Sequence, residues 1–187
     1  MSDTTTIRAV DAAEAARRLP ELAAILMDAV THGASVNFMA GFTAAEGAAF
    51  WRAQLPGFAA GERRLLVAEA GGRIHGTVVL SLAHQPNAPH RAEIGKMLVH
   101  SLARRRGIGR RLLAAAEAAA QAAGRTLLLL DTESGSAGEL LYRSCGWIEV
   151  GRVPDHAFTP AGRLAETTLF CKSLGPHRSP GDAATEH

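Results

Sequence analysis

Apolar positions recur along this chain at two periods, and the alternation between them sets out the elements. Between Asp11 and Thr31, Leu19, Leu22, Ile25, Leu26 and Ala29 return at helical spacing. Pro20 lies inside that stretch and lacks the N–H that a helix interior needs, so a break or a fresh helix start is predicted there. Gly33 fits the end. Thr43 and Glu46 have the spacing of a capping box, and the helix they open is predicted to stop before Pro56–Gly57. Ile7–Val10 fits a short first strand. Arg64–Glu69 and Ile74–Leu82 fit two strands folded about Ala70–Gly71–Gly72. Gln85–His90, with two prolines and an asparagine, is a predicted loop.

Arg91–Val99 follows as a longer strand. Gly107–Ala123 is a strong helix, with Ile108, Leu112, Leu113 and Ala116 on one face and Gly124 closing it. Thr126–Leu130 is a threonine followed by four leucines, a run apolar enough for a strand buried on both faces, as in a parallel pair. Strand, helix, strand makes a crossover unit, right-handed by default. Ser136 and Glu139 repeat the capping-box spacing and open a short helix that Gly146 would end. Trp147–Val153 and Leu164–Lys172 are predicted as two last strands joined by a Pro/Gly loop, and Ser173–His187 as a polar, disordered tail. No internal repeat or second domain is visible, so residues 1–174 are expected to form one domain, with 175–187 as the tail.

Composition narrows the class. The chain has 187 residues, enough for one self-sufficient core. Twenty Lys+Arg against eighteen Asp+Glu leave a formal charge of +2, too slight by itself to argue for nucleic acid or a membrane surface. Two cysteines are too few for a disulfide framework. The N-terminus does not look like a secretory signal, and no apolar run approaches the ~20 residues that span a bilayer. These features predict a soluble cytoplasmic protein. The eight histidines show no zinc-ligand spacing, so no metal is expected.

The informative segment leads from the Arg91–Val99 strand into the Gly107–Ala123 helix. It reads Arg104-Arg105-Arg106-Gly107-Ile108-Gly109-Arg110. A helix N-terminus leaves amide N–H groups unpaired and carries partial positive charge. Glycines let backbone close around an anion, and arginines add charge-assisted phosphate bonds. Physically this is a diphosphate site. A dinucleotide fingerprint would need a third glycine where Leu112 stands, and a P-loop would need Gly-Lys-Ser/Thr. A solvated basic helix start or a nucleic-acid patch remains open from these residues alone.

Arg104-x-x-Gly107-x-Gly109, with the order of elements around it, resembles the coenzyme-A signature of the GNAT family of N-acetyltransferases. Further stretches are similar to the family's toxin-resistance branch: Gly33-Ala-Ser-Val with Phe38-Met39, Arg91-Ala-Glu93, Leu130-Asp-Thr-Glu133, and Thr159-Pro with Gly162-Arg-Leu164. The resemblance implies an α/β (α+β) fold, a mixed sheet of about seven strands splayed between strands 4 and 5 and flanked by about four helices. It implies acetyl-CoA as cosubstrate, with pantetheine pairing to the backbone of Met97, Leu98 and Val99 and pyrophosphate on the amides of Arg105 to Arg110. Ser101 stands where the family usually has Pro, and Arg105 where Gly is common.

Acetyl transfer to an amine poses two proton problems: an alkylammonium must lose a proton, and a thiolate must gain one. Asp131 ends the buried strand, where open α/β sheets place chemistry, and leucine neighbours would desolvate it. Tyr142 is the only tyrosine. The resemblance places this pair at the active site, with Tyr142 as proton donor near the sulfur. It also offers Glu93 as a second base, and plain strand alternation would put Glu93 on the face of Met97 and Val99. Asn37, Phe38 and Met39, between the first two helices, are candidate acceptor contacts. The implied acceptor is a small amine, amino-acid-like or a β-lactam toxin, in a monomer or homodimer without nucleic-acid or membrane partners. A protein or peptide amine and a non-catalytic coenzyme-A sensor are the alternatives.

Overall fold

A computed structural model of the chain describes residues 5–175. The tail expected at the C-terminus lies, from residue 176 on, outside the described residues. Seven strands form one mixed sheet in the order β1-β2-β3-β4-β5-β7-β6. They are β1 (Thr6–Val10), β2 (Arg63–Ala70), β3 (Arg73–Leu82), β4 (Arg91–Val99), β5 (Leu127–Glu133), β6 (Ile148–Phe158) and β7 (Leu164–Ser173). Among the described residues five helices flank it: α1 (Ala12–Arg17), α2 (Leu19–Thr31), α3 (Ala44–Ala59), α4 (Ile108–Ala122) and α5 (Ala137–Ser144). The helix count exceeds the expected four because the chain breaks at Arg18, leaving Pro20 in the first turn of α2, where its missing N–H costs little.

Predicted ends move in three places, one of them β5, which runs past Leu130 through Asp131 to Glu133, so that Asp131 lies inside the strand rather than ending it. The helix opened by the Thr43/Glu46 capping box runs through Pro56 and Gly57 to Ala59. One interior amide is lost, but burial of Phe58 and the Ala60 N–H donating to the Pro56 carbonyl at 2.9 Å hold the last turn. β6 continues past Val153 through Pro154 to Phe158. It is the last strand of the sheet, so its outer edge needs no amide there. The register slips between Val153 and Ala157, with Asp155 at φ 51°.

Two apolar clusters sit on the sheet. One gathers Val78, Leu80, Ala92, Ile94, Leu128, Leu130 and Phe170 with Ile108, Leu112, Leu113 and Ala116 of α4 and Tyr142 of α5. The other gathers Leu65, Val67, Val79 and Leu98 with Leu22, Ile25 and Leu26 of α2 and Trp51 of α3. Trp51 is fully buried and donates its indole N–H to the Leu22 carbonyl at 3.0 Å, which ties α3 to α2.

β4 is irregular, and the irregularity decides which face each residue serves. Its pairing with β3 shifts between Thr77 and Val79, where the opposing residues are Leu98 and Gly95. Lys96 lies in this bulge at φ 47°, its carbonyl accepting from the buried Thr77 hydroxyl at 2.9 Å. Ahead of the bulge, Ala92 and Ile94 enter the α4 cluster; beyond it, Met97 and Val99 pack there and Leu98 turns to the α2 side. Strict alternation from Glu93 to Met97 therefore fails, and the two do not share a face.

On its other side β4 pairs in parallel with β5 only at Arg91–Leu127, Ala92–Leu128 and Glu93–Leu129. The His90 carbonyl pins the start of β5 by accepting from Thr126 and Leu127. β5 then ladders fully with β7, and from Ile94 on β4 pairs only with β3. The sheet thus opens as a wedge, with α4 packed behind it.

Gly76 on β3 lets that packing close. A Cβ there would lie 2.7 Å from the Leu98 carbonyl oxygen and 3.0 Å from a Leu112 methyl. Gly76→Ala should lower unfolding stability by roughly 1–3 kcal/mol, read as a lower denaturant midpoint; an unchanged midpoint would mean that the β4 backbone at Leu98 and α4 both give way freely.

Candidate active site

The wedge between β4 and β5 meets the N-terminus of α4 in a cavity of about 410 Å³. Nearly every residue expected to hold the coenzyme lines it: Met97, Leu98, Val99, Arg104, Arg105, Gly107, Ile108, Gly109 and Arg110. Arg106 is exposed and does not. Ala29 of α2 and Ala137, Gly138 and Leu141 of α5 complete the lining, contributions the sequence did not signal.

The loop turns through two left-handed residues, Arg105 and Gly107. A 3-10 turn, Ser101–Ala103, leads into it. Gly107 caps α4 at φ 75°, and Arg105 takes φ 64°, a left-handed conformation that suits glycine better. Gly109 lies against α5 and β4: a Cβ there would meet Leu141 at 3.0 Å and Met97 at 3.3 Å. No side chain caps α4, so its first amides are left without a side-chain partner at the cleft's edge.

The arginines divide their work. Arg104 turns back, its Nε donating to the Val99 carbonyl at 3.1 Å and its guanidinium 3.8 Å from Asp28. Arg110 donates to the Ser144 carbonyl at 3.2 Å and hydroxyl at 3.0 Å, and Arg111 donates to the Thr5 carbonyl at 2.8 Å. Arg105 and Arg106 have no hydrogen-bonded partner among the described residues.

Asp28, in the last turn of α2, was not singled out by sequence. Its oxygens accept from the Ser101 N–H at 2.7 Å and the Ser101 hydroxyl at 2.6 Å. Burial raises its pKa, but these two bonds and the facing His100 and His32 outweigh that and bring it below the ordinary value.

Glu93 and Asp131 come together in a second cavity, of about 320 Å³, with Leu129, Val150, Leu169 and Phe170. Both are exposed. The desolvation expected for Asp131 is absent, because the β5 residues on its face, Leu127 and Leu129, are only half-buried. Tyr142 lines neither cavity and is buried in the core. Its ring packs near Phe170 (centroids 6.1 Å apart) and Trp147 (5.9 Å). A Cβ on Gly138, which lines the first cavity, would lie 3.6 Å from Tyr142 Cε2, so the ring packs behind that glycine. Burial first, then the charge of Asp131, pushes the Tyr142 phenol well above its usual range and keeps it protonated.

Lys96 is a second group that sequence reasoning missed. Its Nζ lies 5.3 Å from the Phe50 ring centroid. Burial lowers its pKa, and the charge of Asp131 opposes that shift. The bulge that aims it has no signature in strand alternation.

Of the expected acceptor residues, Phe38 joins an aromatic group with Phe42 (4.1 Å) and Phe50 (5.4 Å), Asn37 is exposed at φ 73°, and Met39 is exposed. None of the three lines a cavity described here. A polar cavity of about 460 Å³ is lined instead by His32–Ser35, Thr132–Ala137 and Arg163. Among the described residues no group of three or more His, Cys, Asp or Glu is placed to hold a metal ion, and no helix is long and apolar enough to cross a membrane.

Comparison with known proteins agrees with this geometry. Residues 61–149 match the family model described as acetyltransferase (GNAT) domain. yncA from Salmonella typhimurium, solved with its cofactor acetyl-CoA, superposes with TM-score 0.74 at 22% identity, over 95% of this chain and 98% of its own. Ribosomal-protein-alanine N-acetyltransferase from Brucella melitensis gives TM-score 0.72 at 26% identity, over 90% of this chain and 99% of its own. A candidate phosphinothricin N-acetyltransferase gives 0.74 at 20% identity, over 92% and 99%. Over residues 61–149 the chain is thus similar to the acetyltransferase (GNAT) domain, and as a whole it shares the fold of these proteins.

Proposed function

We propose that the chain moves an acetyl group from acetyl-CoA directly to the amine of a small, amino-acid-like acceptor, by general base and general acid catalysis. One observation carries the reading: the open edge of β4, the first turn of α4 and the Arg105–Arg110 loop converge on one cleft. The residues fit the cosubstrate. Uncapped amides and the glycine at φ 75° suit a diphosphate, and the β4 edge beyond Glu93 offers backbone groups to an extended, amide-bearing arm.

Acetyl-CoA would supply a thioester, in which the new C–N bond forms as the C–S bond breaks. The chain supplies the proton traffic. Glu93 or Asp131 would accept the proton lost from the acceptor ammonium, directly or through water. Tyr142, held protonated by its burial, would give its proton to the departing sulfur. Lys96 on the Phe50 face would place positive charge at the acceptor end. The likeness to a candidate phosphinothricin N-acetyltransferase supports a small amine, and the stretches similar to the toxin-resistance branch point the same way. A peptide amine is the second reading, favoured by the polar cavity beside α5 and the likeness to a ribosomal-protein-alanine N-acetyltransferase. Thiol release from acetyl-CoA against amino acids, β-lactam-like dipeptides, polyamines and peptides separates them by which class turns over.

Gly107→Asp should weaken acetyl-CoA binding at least about tenfold, since it sets a carboxylate beside the anion site and a side chain at a positive φ; calorimetry showing unchanged affinity would remove the loop from the site. Tyr142→Phe should lower kcat about 10²-fold with little change in acetyl-CoA affinity, and a wild-type rate would rule out its acid role. Of Glu93→Gln and Asp131→Asn, the one that removes the base should abolish the fall in kcat/KM on the acid side of the pH profile. Retention of that limb in both variants would exclude both carboxylates.

A further inference from the structure

We infer that Asp28 is a positioning residue, holding the coenzyme loop in its anion-binding shape and tying it to the acceptor end of α2; this rests on the coenzyme reading above. An acidic side chain in the last turn of a helix opposes the helix dipole, yet Asp28 stands there, its side chain only 11% exposed. Both its oxygens are engaged by one residue of the coenzyme loop: Ser101 N–H to Oδ2 at 2.7 Å and Ser101 hydroxyl to Oδ1 at 2.6 Å.

These bonds fix the start of the 3-10 turn, from which the loop launches into α4. Three further groups face the carboxylate. His32 of the same helix end lies 3.3 Å away, His100 of the loop 3.8 Å, and the Arg104 guanidinium 3.8 Å. Asp28 thus draws Arg104 back toward β4, leaving the Arg105 and Arg106 side chains and the α4 amides to a ligand. The next residue, Ala29, lines the coenzyme cleft, while His32 lines the polar cavity beside α5. One carboxylate therefore sits where the helix meets both cavities.

The test measures acetyl-CoA affinity by calorimetry, and kcat and KM, for Asp28→Asn, Ser101→Ala, the double variant and Ser101→Thr. Each of the first two should weaken acetyl-CoA binding about 5–20-fold while kcat at saturation stays within about twofold, because the loop is misplaced and the chemistry is untouched. The double variant should be no weaker than the worse single one, and Ser101→Thr, which keeps both donors, should match the wild type. Unchanged affinity in both single variants, or losses that add in the double, would overturn the inference. So would equal falls in kcat and melting temperature with KM unmoved, the pattern of a merely structural contact. If Asp28→Asn does not fold, Ser101→Ala carries the test, since it leaves the charge in place. A wild-type chain that binds no acetyl-CoA would bring down the coenzyme reading and this role together. Binding by the wild type with unmoved variants overturns this role alone.

Discussion

The structure depends on a ladder that stops. β4 and β5 share pairing over three residues of each strand and then part. Every strand pair that continued would satisfy more backbone groups, so the separation has to be held open from outside. β7 does this on one side by pairing β5 along its whole length, and β3 does it on the other, through the bulge at Lys96. α4 closes the back of the opening, and Gly76 sets how near it can come. The cleft, the free strand edge and the helix N-terminus are three consequences of that one interruption.

The bulge also explains how the site sorts its charges. By turning the strand over between Ile94 and Met97, it gives the apolar side chains of Met97 and Val99 to the cleft at the start of α4 and leaves Glu93 in the cavity with Asp131. Tyr142 lines neither space; it lies near the Asp131 charge and is buried enough to keep its proton. The phenol proposed as proton donor and the two carboxylates proposed as bases therefore do not share one pocket.

Much of this was legible from residues. Periodicity located the strands and helices, since apolar spacing reports directly which face is buried. Caps such as Thr43/Glu46 and Gly146 marked true ends because they satisfy specific amides and carbonyls. The loop from Arg104 to Arg110 was visible because a glycine-bearing helix start with clustered arginines is a local feature. What stayed hidden was non-local. Pro56 stays in a helix because Phe58 is buried by neighbours that the sequence does not reveal. The bulge at Lys96 depends on the partner strand, so alternation put Glu93 on the wrong face. Asp28 and Ser101 are 73 positions apart, and only the packing of α2 beside the loop joins them. An acid in the last turn of α2 was the one signal available, as a residue against its helix dipole.

β6 has a consequence for how copies of this chain can meet. Ile148 and Val150 stand exposed on the last strand, a surface with affinity for other apolar surfaces. Yet the same strand carries Pro154, a register slip and Asp155 at a positive φ. A neighbouring backbone cannot run in continuous ladder along such an edge. The end of the sheet is therefore adhesive through its side chains but a poor template for strand addition, so molecules can touch there without growing one sheet.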